Sequence, residues 1–167
     1  MTKIVVFKNK INSFKKRIYI PGDKSLSIRW VLLSSIASGI SRAKNLLMSE
    51  DVLAAIDSVK KLGIKAKINK KECKIFGKGI NGYKYKKNLT INAQNSGTLG
   101  RLILGLLINT PFPIKLNGDK SLSKRDFKRV SDPLSKFGAK FSLNKNKFLP
   151  LIIHGSKNLK PISYREN

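Results

Sequence analysis

Three polar clusters in the sequence stand where a predicted strand gives way to a predicted helix. The first occupies residues 21–29 and reads PGDKSLSIR. Ser25 and Arg29 are four residues apart, so they share one face of a helix, and Lys24 stands at its start. Because a helix N-terminus exposes unpaired N–H groups and a partial positive charge, these side chains could together bind a phosphate or a carboxylate. The alternative is that Ser25 caps the helix while Lys24 and Arg29 face solvent.

The second cluster, NSGTLGR, occupies residues 95–101 and also precedes a predicted helix. Gly97 permits a ligand to approach the backbone closely, and the Asn95 amide can donate or accept hydrogen bonds. The cluster is therefore a candidate second anion site. An ordinary helix N-cap formed by Ser96 explains the same residues equally well.

The third cluster, GDKSLSKRD, occupies residues 118–126 in a predicted polar turn between a strand and a helix. Arg125 could hold an anion through two parallel N–H groups, as guanidinium groups commonly do. A surface ion pair between Arg125 and either Asp119 or Asp126 is the alternative explanation.

The net charge is +26, from 35 Lys and Arg residues against 9 Asp and Glu. Such a charge favours an anionic partner, which could be nucleic acid, an anionic membrane or small phosphorylated substrates. However, 28 of the basic residues are lysines spread along the whole chain, and only 7 are arginines. Nucleic-acid-binding proteins often cluster arginines and interleave aromatic residues. A compositional bias toward lysine therefore explains most of the charge, and we do not expect nucleic acid to be the partner.

The rare residue types exclude several classes of site. Cys73 is the only cysteine and His154 the only histidine. An internal disulfide and a cysteine-based zinc cluster are therefore excluded, and a Ser–His–Asp triad would have to use His154. No apolar run reaches the roughly 18 residues needed to cross a bilayer, and the N-terminal residues lack the features of a signal peptide. We expect a cytoplasmic protein that does not enter a membrane.

Hydrophobic periodicity and turn residues predict the elements that must position the three clusters. In the first half they predict strands at 3–8 and 17–20, a helix at 25–38, an extended stretch at 41–47, a helix from 49 to about 62, and strands at 64–68 and 73–76. In the second half they predict a strand at 89–92, a helix at 97–108, a strand at 113–117, a helix at 127–137, and strands at 139–143 and 151–153.

The same order of elements is predicted twice. Two similar phrases, VKKLGIKA and LSKFGAKF, place Gly63 and Gly138 at equivalent positions, 75 residues apart. The repetition indicates two copies of a strand–helix–strand–helix–strand–strand unit, at about 21–87 and 88–155. Because 167 residues form one ordinary domain and no low-complexity linker separates the copies, we expect one packed body.

Together the clusters resemble the signatures of one enzyme family, the 5-enolpyruvylshikimate-3-phosphate synthases, also called 3-phosphoshikimate 1-carboxyvinyltransferases. Residues 21–29 look like the amino-terminal signature of that family, and residues 45–52, NLLMSEDV, resemble its next phrase. Residues 95–101 and 118–125 are similar to its second and third signatures. The four matches occur in the family's order, and the resemblance covers about residues 18–164.

The resemblance implies a mixed α/β fold, the inside-out α/β barrel, in which each of two domains contains three βαβαββ units. Two of the three units of one domain would be present here. Residues 1–20 would belong to the opposing domain, and residues 21–167 would form an incomplete substrate-binding domain. The implied reaction transfers the enolpyruvyl group of phosphoenolpyruvate to the 5-hydroxyl of shikimate 3-phosphate, in the shikimate pathway to chorismate and the aromatic amino acids. It uses neither a metal nor an organic cofactor.

The resemblance also implies roles for the matching residues, which would position the substrates and neutralise their charges. Shikimate 3-phosphate would be bound by Lys24, Ser25 and Arg29, and phosphoenolpyruvate by Lys24, Asn95, Gly97 and Arg125. The sequence departs from the family pattern at several nearby positions, where we expect a distorted phosphoenolpyruvate pocket. These departures are Ile28 in place of a polar residue, Asp126 in place of proline, Lys128 in place of glycine, and the unusual pair Leu99 and Gly100.

Relatives are more than twice as long as this chain, which stops before the family's Ser-x-Gln motif. The third unit and the opposing domain, which supplies the acid–base residues, are absent, so no catalytic residue is assigned. We expect a partial substrate site with negligible turnover, which a second chain carrying the missing domain could complete. Two alternatives stay open: a non-catalytic remnant, and a small basic protein that binds nucleic acid.

Overall fold

The structure is a computed structural model that describes residues 4–6, 8, 13, 15–69 and 72–165. From residue 24 onward the helices and strands follow the order that the sequence predicts, with an added 3-10 helix. The elements are α1 (Lys24–Ile36), β1 (Ser38–Lys44), α2 (Glu50–Lys61), β2 (Lys65–Ile68), β3 (Glu72–Lys78), β4 (Leu89–Asn92), α3 (Gly97–Leu107), β5 (Ile114–Asn117), a 3-10 helix (Leu122–Lys124), α4 (Lys128–Lys136), β6 (Lys140–Asn144) and β7 (Phe148–His154).

The strands form two sheets with the same internal order. The first sheet runs β1-β3-β2 and the second runs β4-β5-β7-β6. In each sheet the last strand of the unit lies in the middle and is antiparallel to both of its neighbours. The second sheet adds β4, which pairs in parallel with β5. The predicted mixed α/β fold is therefore confirmed, whereas the first copy of the predicted repeat lacks the opening strand that β4 forms in the second.

Equivalent backbone hydrogen bonds close both units. In each unit, residues that follow the central strand donate backbone N–H groups to carbonyls at the C-terminal ends of both helices of that unit. In the first unit the bonds are Gly79 N to Ala37 O and Lys84 N to Leu62 O, at 3.1 and 2.9 Å; in the second they are Ser156 N to Ile108 O and Lys160 N to Phe137 O, at 2.7 and 3.0 Å. These bonds use carbonyls that a helix end leaves unpaired, so each unit satisfies its own helix ends.

The strand predicted at 17–20 is wrong. Ile18, Tyr19 and Ile20 are 64%, 84% and 75% exposed, so no packed face compensates for ordering them. The one hydrogen bond there, from the Asn45 amide to the Ile20 carbonyl at 3.2 Å, fixes the end of the segment without forming a ladder. The strand predicted at 3–8 lies partly outside the described residues, and residues 4–6 and 8 are not in a strand. The assignment of residues 1–20 to a separate domain stays a prediction.

The buried face of α1 is not the apolar stripe that predicted the helix. Leu26 and Leu33 on that stripe are 67% and 61% exposed. The buried face instead contains Ile28, Val31 and Leu32 beside three serines. In contrast, the predicted apolar positions of α2 are all buried, namely Val52, Ala55, Ile56, Val59 and Leu62.

Small residues on α1 let the first sheet approach the helix backbone. A Cβ atom on Gly77 of β3 would stand 2.2 Å from the Ala37 carbonyl oxygen and 2.4 Å from that of Ser34. Nearby, the buried Ser35 hydroxyl forms a 2.7 Å hydrogen bond with the Tyr83 hydroxyl. Packing at such short range fixes the distance between α1 and its sheet. It thereby helps to position the N-terminal end of α1, where Lys24 lies. Within the described residues, no helix is both long enough and apolar enough to cross a membrane.

We predict that Gly77→Ala lowers the free energy of unfolding by about 1–3 kcal/mol, because the added methyl overlaps backbone atoms that cannot move independently. Gly105→Ala is the matched control, since nothing lies within 4 Å of its added Cβ in α3. That variant should be more stable by about 0.5–1 kcal/mol through helix propensity alone. Chemical denaturation measures both, and a fully stable Gly77→Ala variant would contradict the close approach.

Candidate anion-binding site

Asp23, not Ser25, caps the first helix of the site. The Asp23 carboxylate accepts a 2.7 Å hydrogen bond from the Leu26 N–H. The Ser25 side chain is half-buried and Arg29 is exposed, and within the described residues neither has a hydrogen-bond or ion-pair partner. Capping is therefore the wrong explanation for Ser25, whose hydroxyl is free to bind a ligand beside Arg29 on the same face.

The loop after β1 holds this helix start in place. The Leu47 N–H donates to the Ser27 hydroxyl at 3.2 Å, and the Asn45 carbonyl oxygen would stand 2.3 Å from a Cβ atom on Gly22. Only a glycine permits that approach. The phrase at 45–52 therefore acts on the first cluster by direct contact with the turn that precedes α1.

Lys24 is bound by a carboxylate in this structure. Its Nζ lies 3.0 Å from Asp51 Oδ2 in the first turn of α2. The Asp51 side chain is 18% exposed, whereas that of Lys24 is 54% exposed. The ammonium group is thus anchored on its inner side and open to solvent on its outer side, where an anion could share it.

The second cluster combines a cap with an exposed amide. Ser96 is buried, and its hydroxyl accepts a 3.3 Å hydrogen bond from the Leu99 N–H. The explanation of Ser96 as the N-cap of α3 is therefore confirmed. Asn95, next to it, is exposed and donates to Asp119 Oδ2 at 2.6 Å. The capping and ligand-binding explanations thus concern different residues of the cluster and are compatible.

Asp119 joins the second and third clusters. Its Oδ1 accepts a 2.6 Å hydrogen bond from the Leu122 N–H, and its own N–H donates to the Gln94 carbonyl at 2.8 Å. Its pKa lies below the usual range, chiefly because of the Leu122 N–H, then the Asn95 amide, with a smaller contribution from the charge of Arg125. The carboxylate is therefore ionised and has both oxygens occupied.

Arg125 comes from the third cluster but lies at the start of α3. Its Nη1 would stand 2.9 Å from a Cβ atom on Gly97, so the guanidinium fills the space that glycine leaves open. The alternative of an ion pair with Asp119 or Asp126 is wrong, because neither carboxylate lies within 4.0 Å of it. Asp126 instead accepts a 2.6 Å hydrogen bond from the Lys128 N–H at the start of α4.

Arg101 belongs to the second cluster, but the sequence analysis assigned it no binding role. Its Nη1 would stand 3.7 Å from the same Gly97 Cβ position. Its spacing of four residues from Gly97 places both on one helical face, and that spacing is the signal that could have identified it.

The start of α2 connects the regions around the two helix starts. Glu50 of α2 lines the same cleft as Asn92 and Gln94, in a space of about 450 Å³. Lys24 is tied to the neighbouring residue of α2, Asp51. The start of α2 therefore links the start of α1 to the loop before α3. Within the described residues no group of three potential metal ligands occurs, and the absence of a metal cofactor stays a prediction.

The departures from the family pattern are absorbed by packing. Ile28 is fully buried in the core, so it does not line an anion site. A Cβ atom on Gly100 would stand 3.3 Å from Phe127 Cζ, so the missing side chain makes room for a buried aromatic ring. Asp126 replaces the conformational role of proline with a side-chain hydrogen bond to the start of α4. Among the positions where we expected a distortion, Ile28, Gly100 and Asp126 each have a compensating contact.

We predict that Asp119 stabilises the fold at neutral pH and ceases to do so in acid. Because its folded-state pKa is lowered, its contribution is complete above the ordinary aspartate pKa of about 3.9 and is lost as the pH falls through the folded-state value. Denaturation of the unaltered chain and of Asp119→Asn should therefore differ at pH 7 and converge in acid. Asp132→Asn, an exposed carboxylate on α4, is the control. A difference that grew on acidification would contradict the assignment.

The chain is similar to known proteins of one family. Residues 8–167 match the family described as EPSP synthase (3-phosphoshikimate 1-carboxyvinyltransferase). The chain is 42% identical over 154 residues to the 3-phosphoshikimate 1-carboxyvinyltransferase of Streptococcus agalactiae serotype Ia, covering 92% of this chain and 36% of that protein. It is 43% identical over 151 residues to the enzyme of that name from Caldicellulosiruptor saccharolyticus, covering 90% and 34%.

Solved structures show the same fold. An EPSP synthase from Acinetobacter baumannii superposes with a TM-score of 0.84 at 35% identity, covering 90% of this chain and 34% of that one. The chain thus spans about a third of the length of the relatives that it matches. With the family match over nearly the whole sequence and the fold in agreement, the chain belongs to the EPSP synthase family.

Proposed function

We propose that the chain is the amino-terminal, substrate-binding part of a 3-phosphoshikimate 1-carboxyvinyltransferase. The whole enzyme moves the enolpyruvyl group of phosphoenolpyruvate to the 5-hydroxyl of shikimate 3-phosphate and releases phosphate from a tetrahedral intermediate. The observation that carries the proposal is the guanidinium of Arg125, which lies beside Gly97 at the N-terminus of α3 and has no carboxylate partner among the residues that the structure describes. An unbalanced cation at a helix start is suited to an anionic ligand.

Shikimate 3-phosphate binds at the start of α1 in this proposal. Lys24, Ser25 and Arg29 supply an ammonium, a hydroxyl and a guanidinium to its phosphate and hydroxyl groups. Their availability supports the assignment, since Ser25 and Arg29 have no competing partner within the described residues and Lys24 has an exposed outer side.

Phosphoenolpyruvate binds at the start of α3. Arg125 faces one of its anionic groups, the backbone at Gly97 approaches it, and Asn95 lines the site from a position fixed by Asp119. Lys24 contacts both substrates, so its tether to Asp51 sets the distance between the two subsites. These residues neutralise charge and hold the reacting groups in register, and none of them is assigned a proton-transfer role.

The proposal includes no cofactor, and it assigns no acid–base residue; in relatives that are longer than this chain, such residues would lie in the portion that the match does not cover. A second chain carrying that part is the proposed partner. A cytoplasmic location, which the cysteine count favours, also stays a prediction.

We predict that shikimate 3-phosphate binds the unaltered chain and that Arg29→Ala weakens binding about 10- to 100-fold, the effect of losing one hydrogen bond to a charged group. Arg42→Ala is the matched control, because Arg42 is an exposed arginine on β1 that belongs to none of the three clusters. Isothermal titration calorimetry measures all three proteins. Equal losses in both variants would indicate binding to general surface charge, and no binding by the unaltered chain would favour the non-catalytic remnant.

We predict that the chain alone releases no phosphate from phosphoenolpyruvate in the presence of shikimate 3-phosphate, because the proposal assigns no acid–base residue to this chain. A steady-state phosphate assay tests this. Adding the complementary portion of a relative, such as the Streptococcus agalactiae protein, as a separate chain should restore turnover. Turnover by the chain alone would contradict the division of roles.

A further inference from the structure

Two arginines, not one, flank Gly97. The Nη1 atoms of Arg125 and Arg101 would stand 2.9 and 3.7 Å from a Cβ atom on that glycine. Arg125 reaches this point from the turn before α4, whereas Arg101 reaches it from the second turn of α3 itself. Their guanidinium groups therefore meet on one side of the helix start, although they are 24 residues apart in the chain.

Packing fixes the position of Arg101. Its Cζ lies 6.0 Å from the ring centroid of Phe127, a cation–π geometry. Phe127 is fully buried, and Gly100 gives its ring the room to lie beneath Arg101. The guanidinium is held over a rigid aromatic support, so its position does not depend on an ion pair.

The charge of this region is not balanced. Arg101, Arg125 and Arg129, here called the arginine cluster, have no carboxylate within 4.0 Å among the described residues. The Nε of Arg101 is buried and has no hydrogen-bond partner. The pKa of Arg101 is lowered, first by burial and then by the charges of Arg129 and Arg125.

An arrangement of this kind costs stability in the free protein. A buried donor without a partner loses its hydration without compensation, and neighbouring like charges repel. The nearest carboxylate of the third cluster, Asp119, already accepts hydrogen bonds from Leu122 and Asn95. No carboxylate among the described residues therefore balances the charge of the arginine cluster.

We propose that Arg101 is a second binding residue for the phosphate group of phosphoenolpyruvate, acting beside Arg125 at the start of α3. The inference rests on the proposed function and extends its phosphoenolpyruvate subsite by one residue. A phosphate monoester carries up to two negative charges and three acceptor oxygens, so it can engage two guanidinium groups and the helix N-terminus at once. A carboxylate, with one charge and two oxygens, matches this site less completely.

Arg101→Gln separates a binding role from a structural one. If Arg101 binds phosphate, its replacement removes a charged group that has no carboxylate partner and a buried, unpaired Nε among the described residues, and the free variant is at least as stable as the unaltered chain at low ionic strength. The variant should also bind phosphoenolpyruvate about 10- to 100-fold more weakly. Arg101→Lys keeps the positive charge but lacks the planar guanidinium with its paired N–H donors, so it should lose less affinity than Arg101→Gln. A structural role predicts the opposite pair of results, namely lower stability and unchanged affinity.

The experiment uses the full chain and two probes, phosphoenolpyruvate and inorganic phosphate, followed by calorimetric titration and by the ligand-dependent rise in melting temperature. Arg42→Gln is the control for the loss of one positive charge. Binding that falls with Arg125→Gln but not with Arg101→Gln would overturn this inference and leave the proposed function intact. Failure of the unaltered chain to bind either probe would overturn both.

Discussion

The candidate site depends on one constraint. In each unit, the loop after the strand that follows the first helix, β1 or β5, contacts the start of that helix, α1 or α3. In the first unit the loop at 45–47 binds the turn before α1 through Asn45 and Leu47. In the second, Asp119 binds the turn before α3 through Gln94 and Asn95. A helix N-terminus attracts anions only when its N–H groups are oriented and left partly unpaired. The two loops provide that orientation without occupying the ligand side.

The duplicated fold explains why two such sites occur side by side. Each unit packs its helices against its own sheet, and α1, α2 and α3 also contact one another. The contact between α1 and α2 brings Lys24 to Asp51, and the contact between α2 and the second unit brings Glu50 to the loop at 92–94. Two small anions bound at these helix starts would therefore be neighbours, which a transfer between them requires.

The distribution of arginine is more informative than the total charge. Lysines are scattered over the chain, whereas two of the seven arginines, Arg101 and Arg125, meet beside Gly97 at the start of α3, and the charge of Arg129 lowers the pKa of Arg101. A dispersed lysine is well solvated and flexible, but a guanidinium fixed over an aromatic ring is a preorganised binding group. The net charge of +26 thus has two origins, a compositional excess of lysine and a local concentration of arginine.

Much of the fold follows from local sequence, and the missing parts have physical causes. The face of α2 and the strand at 89–92 were predictable because their apolar residues follow the period of the element. The buried face of α1 was not, because its serines are selected by the close approach of Gly77, which is a long-range contact. The strand at 17–20 was predicted from β-branched residues, yet no strand in the described part of the chain pairs with it. Lys24, Ser25, Gly97 and Arg125 could be identified from motifs, whereas Arg101 required the packing on Phe127.

The most direct test of the account is a heteronuclear NMR titration of the chain with shikimate 3-phosphate followed by phosphoenolpyruvate. The account predicts that the amide signals of residues 24–29 shift first, and that those of residues 95–99 and the side-chain signals of Arg125 shift on the second addition. Shifts spread over the lysine-rich surfaces, or confined to one helix start whichever ligand is added, would contradict it.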